Sequence, residues 1–405
     1  MPQSLKNYAL VTIGYWGFTL TDGALRMMVL LHFYTIGYSP FEIASLFLLY
    51  EFFGVVTNLI GGWVASRVGL KVTLFVGLLV QTVALLGLAQ FDAKWSVSFG
   101  VVFVMGMQAM SGIAKDLTKM SAKTSVKILL PQDEKNTLFK WVAILTGSKN
   151  ALKGLGFFMG GVLLTYLGFK AALWAMAGAL GFVLILLVVG LPKGIGHAPV
   201  KTKFINILSK RDDINHLSAA RFFLFGARDI WFVVGLPLFL TTQMSWNNDQ
   251  VGTYMAAWVI GYGLVQAMAP KIMKNTTSAL DGRLSCLWIL ILIGVTTSIA
   301  LIVVADVYPG LVVVFGLLVF GFVFAINSAV HSYLILAYTP VDDAALNVGF
   351  YYMANAGGRL VGTMLSGLAF QYGGLEACLG ASVIFLSAAW GVSLKLPFQT
   401  SLKHW

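Results

Sequence analysis

Runs of about twenty apolar residues recur from one end of this 405-residue chain to the other. Each is long enough to cross a hydrocarbon core of about 30 Å as a helix. Lipid offers no hydrogen-bond partner to a peptide group, so only helices and closed barrels survive in it. The runs are too long and too continuously apolar for the alternating strands of a barrel. The chain therefore reads as an all-α integral membrane protein. Twelve spans are expected, near 8–33, 41–64, 71–90, 96–118, 139–167, 171–191, 218–241, 250–271, 284–304, 311–337, 347–370 and 375–396. Composition agrees: 58% of residues are hydrophobic and 11% charged, where soluble domains carry about 25%. The first run is longer than the core of a cleavable signal, so it is expected to stay in the mature protein.

Orientation follows from where the lysines and arginines fall. With both termini on the cytoplasmic side, 18 of the 27 lie in cytoplasmic segments, two (Lys94 and Lys170) lie outside and seven lie within spans. The net charge of +11 is thus mainly an orientation signal and an attraction to anionic lipid. Nucleic-acid binding would need a folded basic surface in water, which the span pattern leaves no room for. The two cysteines, Cys286 and Cys378, fall in different spans without metal-ligand or redox spacing, and read as small apolar side chains.

The longest polar interruption, Lys193 to His216, divides six spans from six. The layout predicts an N-terminal six-helix bundle (1–191), a cytoplasmic linker (192–216) and a C-terminal bundle (217–405). Equal halves of this kind resemble the major facilitator superfamily. "GGWVASRVGLK", between spans 2 and 3, resembles that superfamily's loop motif, with Gly62, Arg67, Gly69 and Lys71 in place and Ser66 where an aspartate is usual. On span 5, Gly147, Gly156 and Gly160 match the spacing of the superfamily's antiporter motif, with Gly161 where proline is expected. Close helix packing through small residues explains the same glycines, so the motif only leans toward antiport.

Charges inside the spans carry the functional argument. Arg26, Lys115, Lys149, Lys153, Arg221, Arg228 and Arg359 sit within them. Each would cost about 2.5–3.5 kcal/mol at the centre of a lipid-exposed helix, so they must face a cavity or find partners. Asp22, Glu51, Asp116 and Asp229 are the only acids at comparable depth, which leaves the interior net positive. Lys149 and Lys153 stack on one helix face roughly 6 Å apart and repel by about 3 kcal/mol at an effective dielectric of about 20. An anion relieves such a surplus; a neutral solute does not.

The candidate substrate-binding residues are Arg26, Lys115, Lys119, Lys149, Lys153, Arg228 and Arg359, with Asn150, Asn327 and Asn355 as neutral partners. Asp22, Asp116, Asp229 and His331 are candidates for ion coupling. Structural alternatives stand beside these. Asp22 and Arg26 are spaced i,i+4 and could pair with each other, and Arg228 could neutralise Asp229. Arg221 falls near the start of span 7, a position that predicts a side chain reaching out to water. Lys115, Lys119, Lys123 and Lys127 form a stripe that could gather anions or simply be solvated.

Two blocks, "GFTLTDGALRMMVLLHFYTIGYSPFEIASLFLLYEFFGVVTNL" and "MSAKTSVKILLPQDEKNTLFKWVAILTGSKNALKGLGFFMGG", resemble the ArsJ family of organoarsenical efflux permeases. That resemblance implies export of 1-arseno-3-phosphoglycerate, made by glyceraldehyde-3-phosphate dehydrogenase when arsenate replaces phosphate. It further implies arsenate resistance and a place in the bacterial cytoplasmic membrane. In the superfamily, spans 1, 4, 7 and 10 line the central cavity, and organophosphate carriers grip phosphate with one arginine from each half, as Arg26 and Arg228 would here. No cofactor and no metal is expected, and a monomer is. Trivalent arsenic needs clustered thiolates, so a pentavalent oxyanion fits two separated cysteines better. An organophosphate/phosphate exchanger and a proton-coupled exporter of another small organic anion remain as alternatives. An enzyme is disfavoured, because no His/Cys/Asp/Glu cluster is legible.

Overall fold

A computed structural model describes residues 3–68, 70–129, 135–192, 211–273, 281–339 and 344–397. Side-chain surroundings are described within those ranges except at 3–5, 59–68, 70, 123–129, 135–148, 270 and 344–346. Every regular element among the described residues is a helix. In order these are α1 (Gln3–Thr35), α2 (Pro40–Leu46), α3 (Leu48–Val68), α4 (Leu70–Leu88), α5 (Val97–Leu129) and α6 (Lys135–Gly190). They continue with α7 (Asp212–Phe232), α8 (Gly235–Thr242), α9 (Asn248–Met273), α10 (Gly282–Val304), α11 (Pro309–Tyr338) and α12 (Ala344–Ser393).

Among the described residues, eight segments are long and apolar enough to cross a membrane. Two of them, Lys149–Gly190 and Asn347–Ser393, run to 42 and 47 residues, enough for two crossings each. Both contain a break. The backbone of α6 leaves the helical region at Gly168 (φ 74°, ψ 175°), and that of α12 leaves it at Gly373 and at Gly374 (φ 62°, ψ −157°). Positive φ is open to glycine at no steric cost. These breaks fall where the sequence separates spans 5 from 6 and 11 from 12. The helices α1 and α9, at 33 and 26 residues, are also long enough to cross, but polar residues interrupt their apolar character.

Local chemistry explains the other boundaries. Ser39 accepts from the Glu42 backbone N–H while the Glu42 carboxylate accepts from the Ser39 N–H, a capping box that starts α2 with Pro40 at its first position. Span 7 is two helices, not one. Pro237 cannot donate to the carbonyl four residues back, and the Ser366 hydroxyl accepts from the N–H groups of Val234 and Gly235, each at 3.1 Å. Span 2 is likewise divided, with Phe47 ending α2 before α3 begins.

The chain forms two compact units. The first takes Met1–Tyr38, Leu49–Phe204 and Asn247–Ile260; the second takes Ser39–Leu48, Ile205–Trp246 and Gly261–Trp405. Within the first, α1 lies against the first half of α6 at small residues. A Cβ at Gly156 would meet the Leu20 carbonyl oxygen at 2.6 Å, and one at Gly160 would meet the Ala24 Cα at 2.9 Å. A Cβ at Gly161 would strike the Asn248 carbonyl oxygen, which accounts for glycine where the antiporter motif has proline. The corresponding pair packs in the second unit: a Cβ at Gly362 of α12 would meet the Gly226 carbonyl oxygen of α7 at 2.6 Å. The α7–α8 stretch is almost wholly enclosed, whereas the other apolar segments are buried over less than half of their residues. Outward apolar side chains such as Val189, Ile384 and Val102 remain exposed, as lipid-facing residues of a multi-pass membrane protein do.

Candidate functional site

In the first unit the polar residues gather around Tyr50 of α3. Its hydroxyl donates to the Asp22 carboxylate of α1 at 2.7 and 2.9 Å. The Lys115 ammonium of α5 lies 3.9 Å from the Tyr50 ring centroid, and the Arg26 guanidinium lies 5.5 Å from it. A lysine seated on an aromatic face away from bulk water gains about 1–2 kcal/mol. The helices can come this close because of Gly112, where a Cβ would meet the Tyr50 carbonyl oxygen at 2.7 Å. One turn beyond Gly112, Lys115 is carried over the ring.

Arg26 does not pair with Asp22. Its Nη2 is 3.0 Å from Oε1 of Glu51, a carboxylate with no solvent exposure. Nearest spacing along one helix loses here to a partner across the helix interface. Asp116 is buried; the Thr57 hydroxyl donates to it and the Lys119 ammonium lies 3.5 Å away. Lys119 also donates to Oδ1 of Asn58 at 3.2 Å. The half-buried Lys153 holds its ammonium 5.6 Å from the Phe157 ring, and Lys149 is exposed. Along α1, α3, α5 and α6, Arg26, Lys115, Lys119, Lys149 and Lys153 outnumber Asp22, Glu51 and Asp116.

The second unit has its own cluster. Asp229, 1% exposed, is shared by two guanidiniums: Arg228 Nε donates to Oδ1 at 2.7 Å, and Arg359 Nε of α12 donates to Oδ2 at 3.1 Å. Arg221 lies two turns before Arg228 on α7. Both guanidiniums stack on one ring, Phe225, at 3.9 Å and 5.0 Å from its centroid. Arg221 does not reach water. The helix starts at Asp212, six residues before the expected start of span 7, so Arg221 sits nine residues in. It is 4% exposed, and its Nη1 donates to the Ser328 carbonyl and hydroxyl of α11 at 3.2 and 3.1 Å.

Other candidates are dispersed. His331 is fully buried, 2.8 Å from the Ser285 hydroxyl, which also donates weakly to Oδ1 of Asn327. Asn355 and Asn150 are partly buried on α12 and α6. The surroundings of Gly62, Arg67, Gly69, Lys123 and Lys127 lie outside the described residues. Lys71 is described: its ammonium donates to the Leu191 carbonyl at 2.5 Å, a cation placed at the C-terminal end of α6. Tyr50, Thr57 and Ser328 escaped the sequence reading. For the first two a signal existed, since Tyr50, Gly54, Thr57 and Asn58 follow helical spacing on one face.

The sequence profile of the Major Facilitator Superfamily matches residues 11–363. Among solved structures, a mutant of the nucleoside transporter NupG superposes with a TM-score of 0.72 at 15% identity, covering 97% of this chain and 98% of that one. A bacterial homologue of the human lysosomal transporter Spinster, inward-facing and occupied, gives 0.73 at 12% identity, covering 97% of both chains. At such identities the likeness is one of fold. No curated protein sequence matches the chain.

Proposed function

Because the chain belongs to the major facilitator superfamily, a family of transporters and not of enzymes, we propose that it exports a small, multiply charged organic anion across the bacterial cytoplasmic membrane. The anion proposed is 1-arseno-3-phosphoglycerate, supplied inside the cell by glyceraldehyde-3-phosphate dehydrogenase, and the outcome is arsenate resistance. The observation that carries the reading is Asp229, one buried carboxylate shared between Arg228 and Arg359. Two guanidiniums around one carboxylate keep a net positive charge in a low-dielectric interior, and planar guanidiniums match phosphate and arsenate oxygens two at a time. The cation surplus around Tyr50 supports the same substrate class. The two sequence blocks that resemble ArsJ permeases narrow the class to this acyl arsenate.

In this reading Arg26, Lys115, Lys119, Lys149, Lys153, Arg228 and Arg359 bind the anion, while Asp22, Asp116 and Asp229 keep the cations in position or carry a coupling proton. Expelling a multiply charged anion from a cell that is negative inside is already favoured by about 2.3 kcal/mol per charge per 100 mV. The test is flux in inside-out vesicles, with substrate generated by the dehydrogenase from glyceraldehyde 3-phosphate, NAD and arsenate. Arsenate-dependent accumulation in the vesicles supports the proposal. Accumulation that is equal with phosphate in place of arsenate would favour an organophosphate carrier instead.

A further inference from the structure

We infer that Arg221, Ser328, Tyr262 and Gln266 form an oxyanion-binding pocket in the second unit, separate from the Arg228–Asp229–Arg359 group. A guanidinium stays protonated at any physiological pH, so a buried one needs a counter-charge. Among the described residues no carboxylate pairs with Arg221, although it is 4% exposed. Among the described residues its hydrogen bonds run only from Nη1, both to Ser328. The buried Nε has no partner, and Nη2 makes no hydrogen bond among the described residues. The Nε–Nη2 edge is therefore uncommitted, and it is an edge that can hold two oxygens of one phosphate or carboxylate.

The surroundings share this bias toward donors. The Ser328 hydroxyl is approached by Arg221 Nη1 at 3.1 Å, by the Tyr262 hydroxyl at 3.2 Å and by Gln266 Nε2 at 3.4 Å. A serine oxygen accepts two hydrogen bonds, so three donors converge on two acceptor positions. An entering oxyanion supplies an acceptor for the Nε–Nη2 edge of Arg221. Phe225 and Tyr351 flank the guanidinium, at 3.9 and 5.1 Å from their centroids, and keep it in plane. Tyr262 and Gln266 are only partly buried whereas Arg221 is 4% exposed, so in this proposal an anion approaches from the side of Tyr262 and Gln266. The ligand is a tetrahedral oxyanion, either the phosphoryl or arsenyl end of the exported acyl arsenate or inorganic phosphate itself. The pocket deepens the transport reading by seating one end of its substrate, but its existence is measurable without transport.

The experiment is thermal unfolding of the purified full chain titrated with inorganic phosphate, with 3-phosphoglycerate and, at matched ionic strength, with chloride. Wild type should be stabilised by both phosphates and at least tenfold less potently by chloride. Arg221→Leu should unfold no earlier than wild type without ligand, since it removes a buried uncompensated charge, and should need at least tenfold more phosphate for the same stabilisation. Arg221→Lys, which keeps the charge but not the fork, should weaken half-saturation at least tenfold. Gln266→Ala and Tyr262→Phe, at the rim, should each weaken it three- to tenfold, and they decide the matter should Arg221→Leu fail to fold. Stabilisation by 3-phosphoglycerate alone assigns the ester as ligand, and equal stabilisation by phosphate assigns the free anion. An unchanged response in the Arg221→Lys and rim variants, or a chloride response equal to that of phosphate, overturns the pocket. Absence of arsenate-dependent accumulation in the vesicles with the Arg221-dependent phosphate response intact would sink the exporter reading and leave the pocket standing.

Discussion

The Lys115 ammonium lies 3.9 Å from the centroid of the Tyr50 ring, whose hydroxyl donates to Asp22. One side chain thus stands between a cation on α5 and a carboxylate on α1. The two contacts use different parts of the tyrosine, so they separate by substitution. Tyr50→Phe keeps the aromatic face for Lys115 and leaves the Asp22 carboxylate without its donor. Tyr50→Leu removes both. Loss of a hydrogen bond to a charged group costs about 1.5–3 kcal/mol, so both variants should unfold earlier than wild type. Flux should separate them: Tyr50→Phe retains more anion transport than Tyr50→Leu because Lys115 stays seated. Equal flux in the two variants would show that the ring has no part in holding Lys115.

A second expectation concerns Arg26 and Glu51. Their pair is 3.0 Å long with Glu51 sealed from solvent. Breaking a buried pair by neutralising one member is costly, typically about 3–5 kcal/mol, because the other charge is left behind. Glu51→Gln should therefore lower thermal stability sharply, and Arg26→Gln should do the same. The double variant should recover much of the loss. A purely additive double variant in chemical or thermal unfolding would show that the two side chains do not depend on each other.

Much of this fold is legible in the sequence for simple reasons. The break at Gly168 shows because "YLGFK" interrupts an apolar run with a residue suited to positive φ, and Gly373–Gly374 shows in the same way. The division of span 7 is harder to see: Pro237 marks it, but the apolar run continues through the break, held by Ser366 from a distant helix. Ion-pair partners are harder still. Asp22 is the nearest acid to Arg26 along the chain, yet Glu51 of α3 pairs with it instead. Arg221 misleads for a related reason. Its depth depends on where α7 begins, and a polar start such as "DDINH" looks like linker until the helix is seen to include it.

A third expectation follows from Asp229, the shared carboxylate of Arg228 and Arg359. Asp229→Asn leaves two guanidiniums close together with no carboxylate between them, and a loss of about 3–5 kcal/mol is expected. Phosphate should then stabilise the variant more than it stabilises wild type, since the added anion stands in for the lost one. Asp229→Asn combined with Arg359→Gln should recover stability in the absence of phosphate. Thermal unfolding with and without phosphate measures all three proteins. A phosphate response smaller than that of wild type in Asp229→Asn would mean that the arginines do not take up an external anion.

The last expectation returns to Lys149 and Lys153. Sequence spacing alone gives them a strong mutual repulsion, but Lys149 is exposed and Lys153 holds its ammonium over Phe157. Solvent screens much of that repulsion, so the pair is not a large source of strain. Lys149→Gln with Lys153→Gln should shift unfolding by about 1–2 kcal/mol at most, since Lys149 is exposed and half-buried Lys153 gives up a cation–ring contact. Their effect should appear in transport instead. If they attract and hold the incoming anion, the double variant raises KM in vesicle flux with little change in kcat, as loss of binding shared by ground and transition states requires. Added salt should narrow the gap from wild type by weakening the attraction that wild type retains. The single variants assign the effect between them, with Lys153→Gln the larger because its ammonium is the less exposed to water. An unchanged KM at low salt would remove both lysines from the path of the anion and confine recognition in the first unit to the residues around Tyr50.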